Sequence, residues 1–451
     1  MRLIFAILAL PLAMPAGWAA ANYTLNWNTN QNRVTADIQS ADLLPVLRRV
    51  AGATRWQILV EPGSSHTVST KFKDLPPGEA LRLLLGDLNF ALVPGSNSPS
   101  RLFVFRTDRE QATQLVTATE PQPGAKRIPN ELIVVLKPGA NIEDLAKKLG
   151  AKVVGRIDKL NAYRLRFEDE AAANAARDSL AANENVGSVD NNYSLDRPAT
   201  PGDSQKRAVL PQLQMKPPAG SGRVIIGLVD TAVQSLGNNL DQFVLKQISV
   251  AGPSQLEPGV PSHGTAMAET MLGGLQQATG GSTSVQILPV DVYGAGESTS
   301  TFDVAFGIVQ AVNGGARIVN LSLGSPGDNL VLRDVVRQAS DAGILLIGAA
   351  GNTPVTTPFY PAAYPEVYAV TAIEQGQIAP YANRGSFISL GAPGLNLISY
   401  DNTSYGVQGT SVSSAILSGL AAGFMDANRA TTAQARTFLQ SNFGIRITPR
   451  P

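Results

Sequence analysis

Five short apolar runs stand out in the carboxyl-terminal half of the chain, at 224–229, 285–292, 318–323, 344–349 and 367–372, with stretches of helical spacing between them. Each is apolar at nearly every position, which is the pattern of a strand buried on both faces. Such strands alternating with helices predict a mostly parallel sheet covered by helices on both sides, an α/β domain over residues 222–446.

The amino-terminal half has shorter runs and more alternation. Residues 34–38, 56–60, 68–72, 90–93 and 102–105 read as strands, and 43–50 and 78–88 as helices, the second with Ala80, Leu81, Leu84 and Leu85 on one face. This order predicts a small α+β domain at 22–110. The polar stretch 111–125, with Pro121 and Pro123, reads as a linker. Strands at 131–136, 153–157, 163–167 and 186–189 and helices at 142–149 and 170–181 then follow the order β-α-β-β-α-β. That is the ferredoxin-like arrangement, a second small α+β domain at 126–195. Residues 196–221 are rich in proline, glycine and charge and predict an exposed, cleavable connection.

The 451 residues are 44% apolar, enough to fill several cores, and the formal net charge of +1 supplies no field to recruit nucleic acid or an anionic membrane. The chain has no cysteine, which removes disulfides, thiolate metal sites and cysteine nucleophiles. At its start Arg2 precedes an apolar run, 3–14, that Pro11 interrupts and Pro15 ends, with Ala19, Ala20 and Ala21 after it. The run is shorter than the roughly 20 residues of a membrane span and reads as an export signal, residues 1–21. A secreted or periplasmic protein without a membrane span in its mature form is expected.

In sheets of this kind catalytic groups gather beyond the carboxyl ends of the strands. Asp230 closes the first run, Asn352 follows the fourth, His263 opens a helical stretch after Ser262, and Ser411 enters another after Gly409 and Thr410. Taken singly, a strand-end aspartate is ordinarily a turn residue and a serine before a helix a cap. The histidines narrow the choice, because the chain has only His66 and His263, and His66 lies in a turn-like Gly-Ser-Ser-His stretch that reads as solvated surface.

The order Asp230, His263, Ser411, with Asn320-Leu-Ser-Leu-Gly, Ala350-Gly-Asn, Tyr360-Pro-Ala-Ala-Tyr-Pro and Ala392-Pro-Gly in sequence, resembles the subtilisin-like serine proteases across nearly all of 222–446. An α/β-hydrolase elbow would need Gly-x-Ser-x-Gly, and Gly409-Thr-Ser-Val-Ser lacks the second glycine. The resemblance implies a secreted serine endopeptidase acting on polypeptides. Ser411 would be its nucleophile, His263 its base, Asp230 the group that orients the base, and Asn352 with the Ser411 N–H its oxyanion donors. It implies Leu321, Ser322, Leu323 and Gly324 as one substrate-pairing edge and the stretch 292–296, with Gly294, as the other. Ser322 to Gly324 and Ala349, Ala350 and Gly351 would wall a first pocket with room for a medium or large apolar residue.

Pro129-Asn-Glu-Leu-Ile-Val-Val-Leu-Lys-Pro and Asn185-Val-Gly-Ser-Val-Asp-Asn-Asn are similar to the first and last strands of the pro-domains of the same proteases. An inhibited precursor follows, with the pro-domain as intramolecular inhibitor and self-cleavage within 194–221. Through Ala41-Asp-Leu-Leu-Pro-Val-Leu and Gly78-Glu-Ala-Leu-Arg-Leu-Leu-Leu, the first domain resembles the short amino-terminal domain of secretins and TonB-dependent receptors, which implies an envelope protein partner.

The chain departs from the protease pattern at Ala232, where the family has glycine, and at Val412, Ser413, Ser414 and Ala415, where it has Met-Ala-x-Pro. A positive φ at Ala232 would strain the loop that carries Asp230. No acidic cluster marks a calcium site and no cofactor is expected, though a structural calcium stays open. The rival expectation is a non-catalytic envelope scaffold that uses a protease fold as a binding surface; the complete triad argues against it.

Overall fold

The structure, a computed structural model, describes residues 24–445 except 29–31, 55, 62–63, 65, 95–99, 113, 117–123, 202–212, 217–223 and 238. The expected export signal, 1–21, lies outside the described residues. No helix among them is long and apolar enough to cross a membrane. The chain divides into two compact units, Met1–Glu120 and Pro121–Pro451.

In the first unit, strands Thr24–Asn28, Arg33–Asp42 and Thr67–Leu75 form an antiparallel sheet. A second sheet runs in the order Asn89–Val93, Arg101–Phe105, Gln57–Val60 and Gln114–Val116. Helices Leu43–Thr54 and Pro77–Leu85 share one core with both sheets, and Ala80, Leu81, Leu84 and Leu85 are fully buried in it. The second helix stops at Leu85, short of the expected 88, because Gly86 takes a left-handed φ of 58°. Gln114–Val116 corrects the linker expected at 111–125: it pairs antiparallel with Gln57–Val60 and buries Val116. A three-residue strand leaves too short a periodic signal to be read from sequence.

The second unit opens with strands Lys126–Leu136, Lys152–Ile157, Ala162–Arg166 and Val186–Asp196, paired antiparallel in the order Val186–Asp196, Lys126–Leu136, Ala162–Arg166, Lys152–Ile157. Alternation along the strand Lys126–Leu136 explains its two contacts. Leu132, Val134 and Leu136 face helices Ile142–Lys148 and Glu170–Ala181, while Ile133 joins the core beneath with Phe302 and Ile308. The strand Val186–Asp196 runs seven residues beyond the expected end at 189, and its last residues pair antiparallel with Ser298–Ser300.

Eight further strands form a mostly parallel sheet in the order Ile248–Ser249, Gln286–Asp291, Ile225–Asp230, Ile318–Leu321, Leu345–Ala349, Val367–Glu374, with Leu390–Pro393 parallel to the last and Gln377–Ile378 antiparallel on it, and Leu395–Tyr400 and Thr403–Gln408 pair apart from it as an antiparallel hairpin. Helices His263–Thr279 and Thr410–Asn428 cover one face, and Thr301–Asn313 and Leu330–Asp341 the other. The first pair runs parallel, since Gly419 abuts Met271 and Gly423 abuts Ala278. Their amino termini therefore lie at the same end, carrying His263 and Ser411.

The connection expected at 196–221 is anchored at both described ends. Arg197 continues the pairing with Ser298–Ser300 by donating to the Glu297 carbonyl, and Met215 is buried in the core while Lys216 bridges to Ser282.

Candidate active site

Asp230 ends its strand fully buried, and its Oδ1 accepts from the N–H of Thr231 at 2.6 Å. Nδ1 of His263 lies 2.8 Å and 2.9 Å from the two carboxylate oxygens. A proton on Nδ1 serves both, which leaves Nε2 as the basic nitrogen. The ring is held at the first turn of its helix because Ser262 caps that helix through the Thr265 N–H, and the Gly264 N–H donates to Thr231 Oγ1. With the Ser262 hydroxyl donating to the Ala232 carbonyl, two hydrogen bonds stitch the strand end to the helix start beside the Asp230–His263 pair. Ala232 is not among the residues of positive φ, so the strain expected there is absent.

Ser411 sits in the first turn of the helix Thr410–Asn428, largely buried, and its hydroxyl donates to the Ser322 carbonyl at 3.1 Å. Beside it, Oδ1 of Asn352 accepts from the N–H of Thr410 at 2.8 Å and from its hydroxyl at 3.0 Å. That fixes the amide plane of Asn352 at the cavity that it and Ser411 both line. Thr410 was not singled out as a site residue by sequence reasoning; its position next to a candidate nucleophile was the signal. His66 belongs to the first unit, half-buried, with its carbonyl accepting from Leu43 N–H.

A cavity of about 270 Å³ opens at Ser411, lined by Ser322, Leu323, Gly324, Ala349, Gly351 and Asn352 among others. The side chains of Leu321 and Ala350 are buried in hydrophobic cores, so only their backbones are available to a substrate. At Gly324 and Gly351 the absence of a side chain leaves room for the ring of Phe359, which lies where each missing Cβ would point. Part of the space expected for a substrate side chain is therefore occupied by the protein itself. Gly294 meets the chain from the pro side, its carbonyl accepting from the Arg197 guanidinium at 2.7 Å. Ser194, Asp196 and Pro198 also line the Ser411 cavity, so the strand leaving the small sheet passes over it.

One buried acid lies near this machinery without belonging to it. Glu269, two turns along the histidine helix, is pushed up to about 7 by burial, opposed only by the Ser399 N–H that donates to it. Among the described residues no group of three or more His, Asp or Glu is arranged to hold a metal ion.

The Subtilase family profile matches residues 221–443, and that of the fervidolysin N-terminal prodomain matches 114–192. The thermophilic serine proteinase of Bacillus sp. (strain AK1) is 30% identical over 313 residues, 65% of this chain and 77% of that protein. Subtilisin Savinase of Lederbergia lenta is 32% identical over 214 residues, 45% of this chain and 76% of that one. Fervidolysin from Fervidobacterium pennivorans, a keratinolytic enzyme related to subtilisin, superposes with a TM-score of 0.55 at 18% identity, covering 69% of this chain and 57% of its own, a likeness of fold. With the matched catalytic region and prodomain and these relatives, the chain belongs to the subtilase family of serine endopeptidases.

Proposed function

We propose that the protein is an exported endopeptidase that hydrolyses peptide bonds with Asp230, His263 and Ser411 as its triad and is made as an inhibited precursor. The observation that carries this is the doubly hydrogen-bonded Asp230–His263 pair at the same end of a parallel helix pair as Ser411. In turnover the Ser411 hydroxyl leaves the Ser322 carbonyl, passes its proton to Nε2 of His263 and attacks the substrate carbonyl. The imidazolium then protonates the leaving amine, and water repeats the sequence on the acyl-enzyme. Asp230 fixes the tautomer and offsets the imidazolium charge. Nδ2 of Asn352 and the Ser411 N–H receive the oxyanion, and their value lies in being oriented before the reaction starts.

Residues 126–195 act as the pro-domain and 196–221 as the segment cut on maturation. The tail Ser194–Arg197 along the Glu297–Ser300 edge, over the Ser411 cavity, supports an inhibited state in which the chain's own backbone takes the substrate's path. Substrate then pairs with Leu321–Gly324 on one side and the stretch 292–296 on the other, with no cofactor required. Residues 1–21 are read as the export signal, giving a secreted or periplasmic enzyme, and residues 22–110 as a secretin/TonB-like docking domain for an envelope protein.

Expression of the full chain beside its Ser411→Ala variant tests this reading. The wild type converts to a shorter form with a new amino terminus inside 196–221, and the variant stays full length. Identical behaviour of the two would favour the scaffold.

A further inference from the structure

We propose that the cleft edge at 293–297 is a guanidinium subsite, so that the enzyme selects polypeptides carrying an arginine two or more residues before the scissile bond. The inference rests on the reading that the tail 194–198 follows the substrate's path. Along that path Ser194, Leu195 and Asp196 pair with Ser300, Thr299 and Ser298, and the Arg197 N–H donates to the Glu297 carbonyl at 2.9 Å. The Arg197 side chain then folds back over the preceding turn. Nε donates to the Gly296 carbonyl at 2.8 Å, Nη2 to the Gly294 carbonyl at 2.7 Å, and the guanidinium carbon stands 5.4 Å from the centre of the Tyr293 ring.

The turn is built to present those acceptors. The fully buried Asp291 takes the N–H groups of Tyr293 and Gly294 on one oxygen, both at 2.9 Å, which draws the donors inward and leaves the Gly294 and Gly296 carbonyls turned to the Arg197 side chain. Gly294 has a φ of 55°, and a Cβ on it would come within 2.5 Å of the Ala251 carbonyl, so the shape of the turn is fixed. Tyr293 is buried, and its hydroxyl donates to the Asp196 carbonyl at 3.2 Å, which holds both the ring and the tail. Two carbonyls spaced for the arms of one planar fork, an aromatic face beside them and a buried carboxylate beneath suit a guanidinium better than an ammonium. Pro198 follows Arg197 and lines the Ser411 cavity, which puts the subsite on the amino-terminal side of the bond to be cut.

The test is a cleavage profile of the matured enzyme on a peptide library of mixed sequence, aligned at the cut bonds. The expected result is arginine enriched roughly tenfold over both lysine and alanine at one position, two or more residues before the bond. Tyr293→Phe, which keeps the ring, retains the enrichment, and Tyr293→Ala reduces it to near parity. A library cut without regard to arginine, or with arginine enriched only next to the bond, overturns the subsite while leaving the protease reading intact. A library left uncut by the wild type overturns that reading and the subsite with it.

Discussion

Gly419 and Met271 meet backbone against backbone: a methyl group on Gly419 would lie 2.1 Å from the Met271 carbonyl oxygen. This contact sets the separation of the two helices whose first turns carry Ser411 and His263. Gly419→Ala is expected to push the helices apart, lowering kcat at least about tenfold, since small misplacements of reacting groups are costly. The melting temperature should fall with it. Steady-state kinetics and a thermal melt of the purified variant check both.

Asn352→Ala removes Nδ2, together with the Oδ1 that holds Thr410, while leaving the proposed triad of Asp230, His263 and Ser411 unsubstituted. The expected loss is about 100- to 1,000-fold in kcat, a magnitude carried over from the same donor in subtilisin itself. KM should change little, because the bond is made to the oxyanion and not to the ground-state carbonyl.

Glu269 is held up near 7 by burial, so the folded chain keeps its proton through a range where the unfolded chain gives it up. Its contribution is harmless below the ordinary glutamate range and turns destabilising as pH rises from about 4.5 to 7. Glu269→Gln is therefore expected to flatten the stability profile across that window and to be the more stable form at pH 8, by roughly 2 kcal/mol. Denaturant melts of both proteins at pH 5 and pH 8 measure the difference.

Asp190 does the same for the pro-domain. It is buried against the first turn of the helix Leu330–Asp341, where it accepts from the Leu330 N–H at 2.7 Å and the Asn329 amide at 3.2 Å. Burial pushes it up to about 6, aided by nearby Asp328 and opposed by Arg177 and its hydrogen bonds. The docked state thus binds more protons than the released one between about pH 4 and 6. Pro-domain affinity should weaken roughly 10- to 100-fold as pH rises through that window, and Asp190→Asn should remove most of the dependence. Gel filtration of the cleaved, non-covalent complex at pH 4 and pH 7 reads the release.

The sheet was legible because its strands are apolar at most positions, and the candidate site because two of the runs lead into an abrupt polar residue: Asp230 and Asn352 could be singled out with no tertiary knowledge. The strand Val186–Asp196 was only half legible. Its middle residues Asp190, Asn191 and Asn192 are polar yet buried, which sequence periodicity reads as the end of a strand. They are accommodated by partners distant in the chain, Asp190 by Leu330 N–H and Asn192 by Phe302 N–H and the Thr301 hydroxyl. The short strand Gln114–Val116, the Phe359 ring against Gly324 and Gly351, and the Arg197 contacts likewise depend on neighbours that no local window contains.

The central claim is that Ser411 is a nucleophile activated by His263. Labelling the matured enzyme with a fluorophosphonate probe and mapping the adduct by mass spectrometry tests it most directly. A single adduct on Ser411 that disappears in His263→Ala is the predicted result. An adduct on another serine, or labelling of Ser411 that persists undiminished without His263, would contradict it.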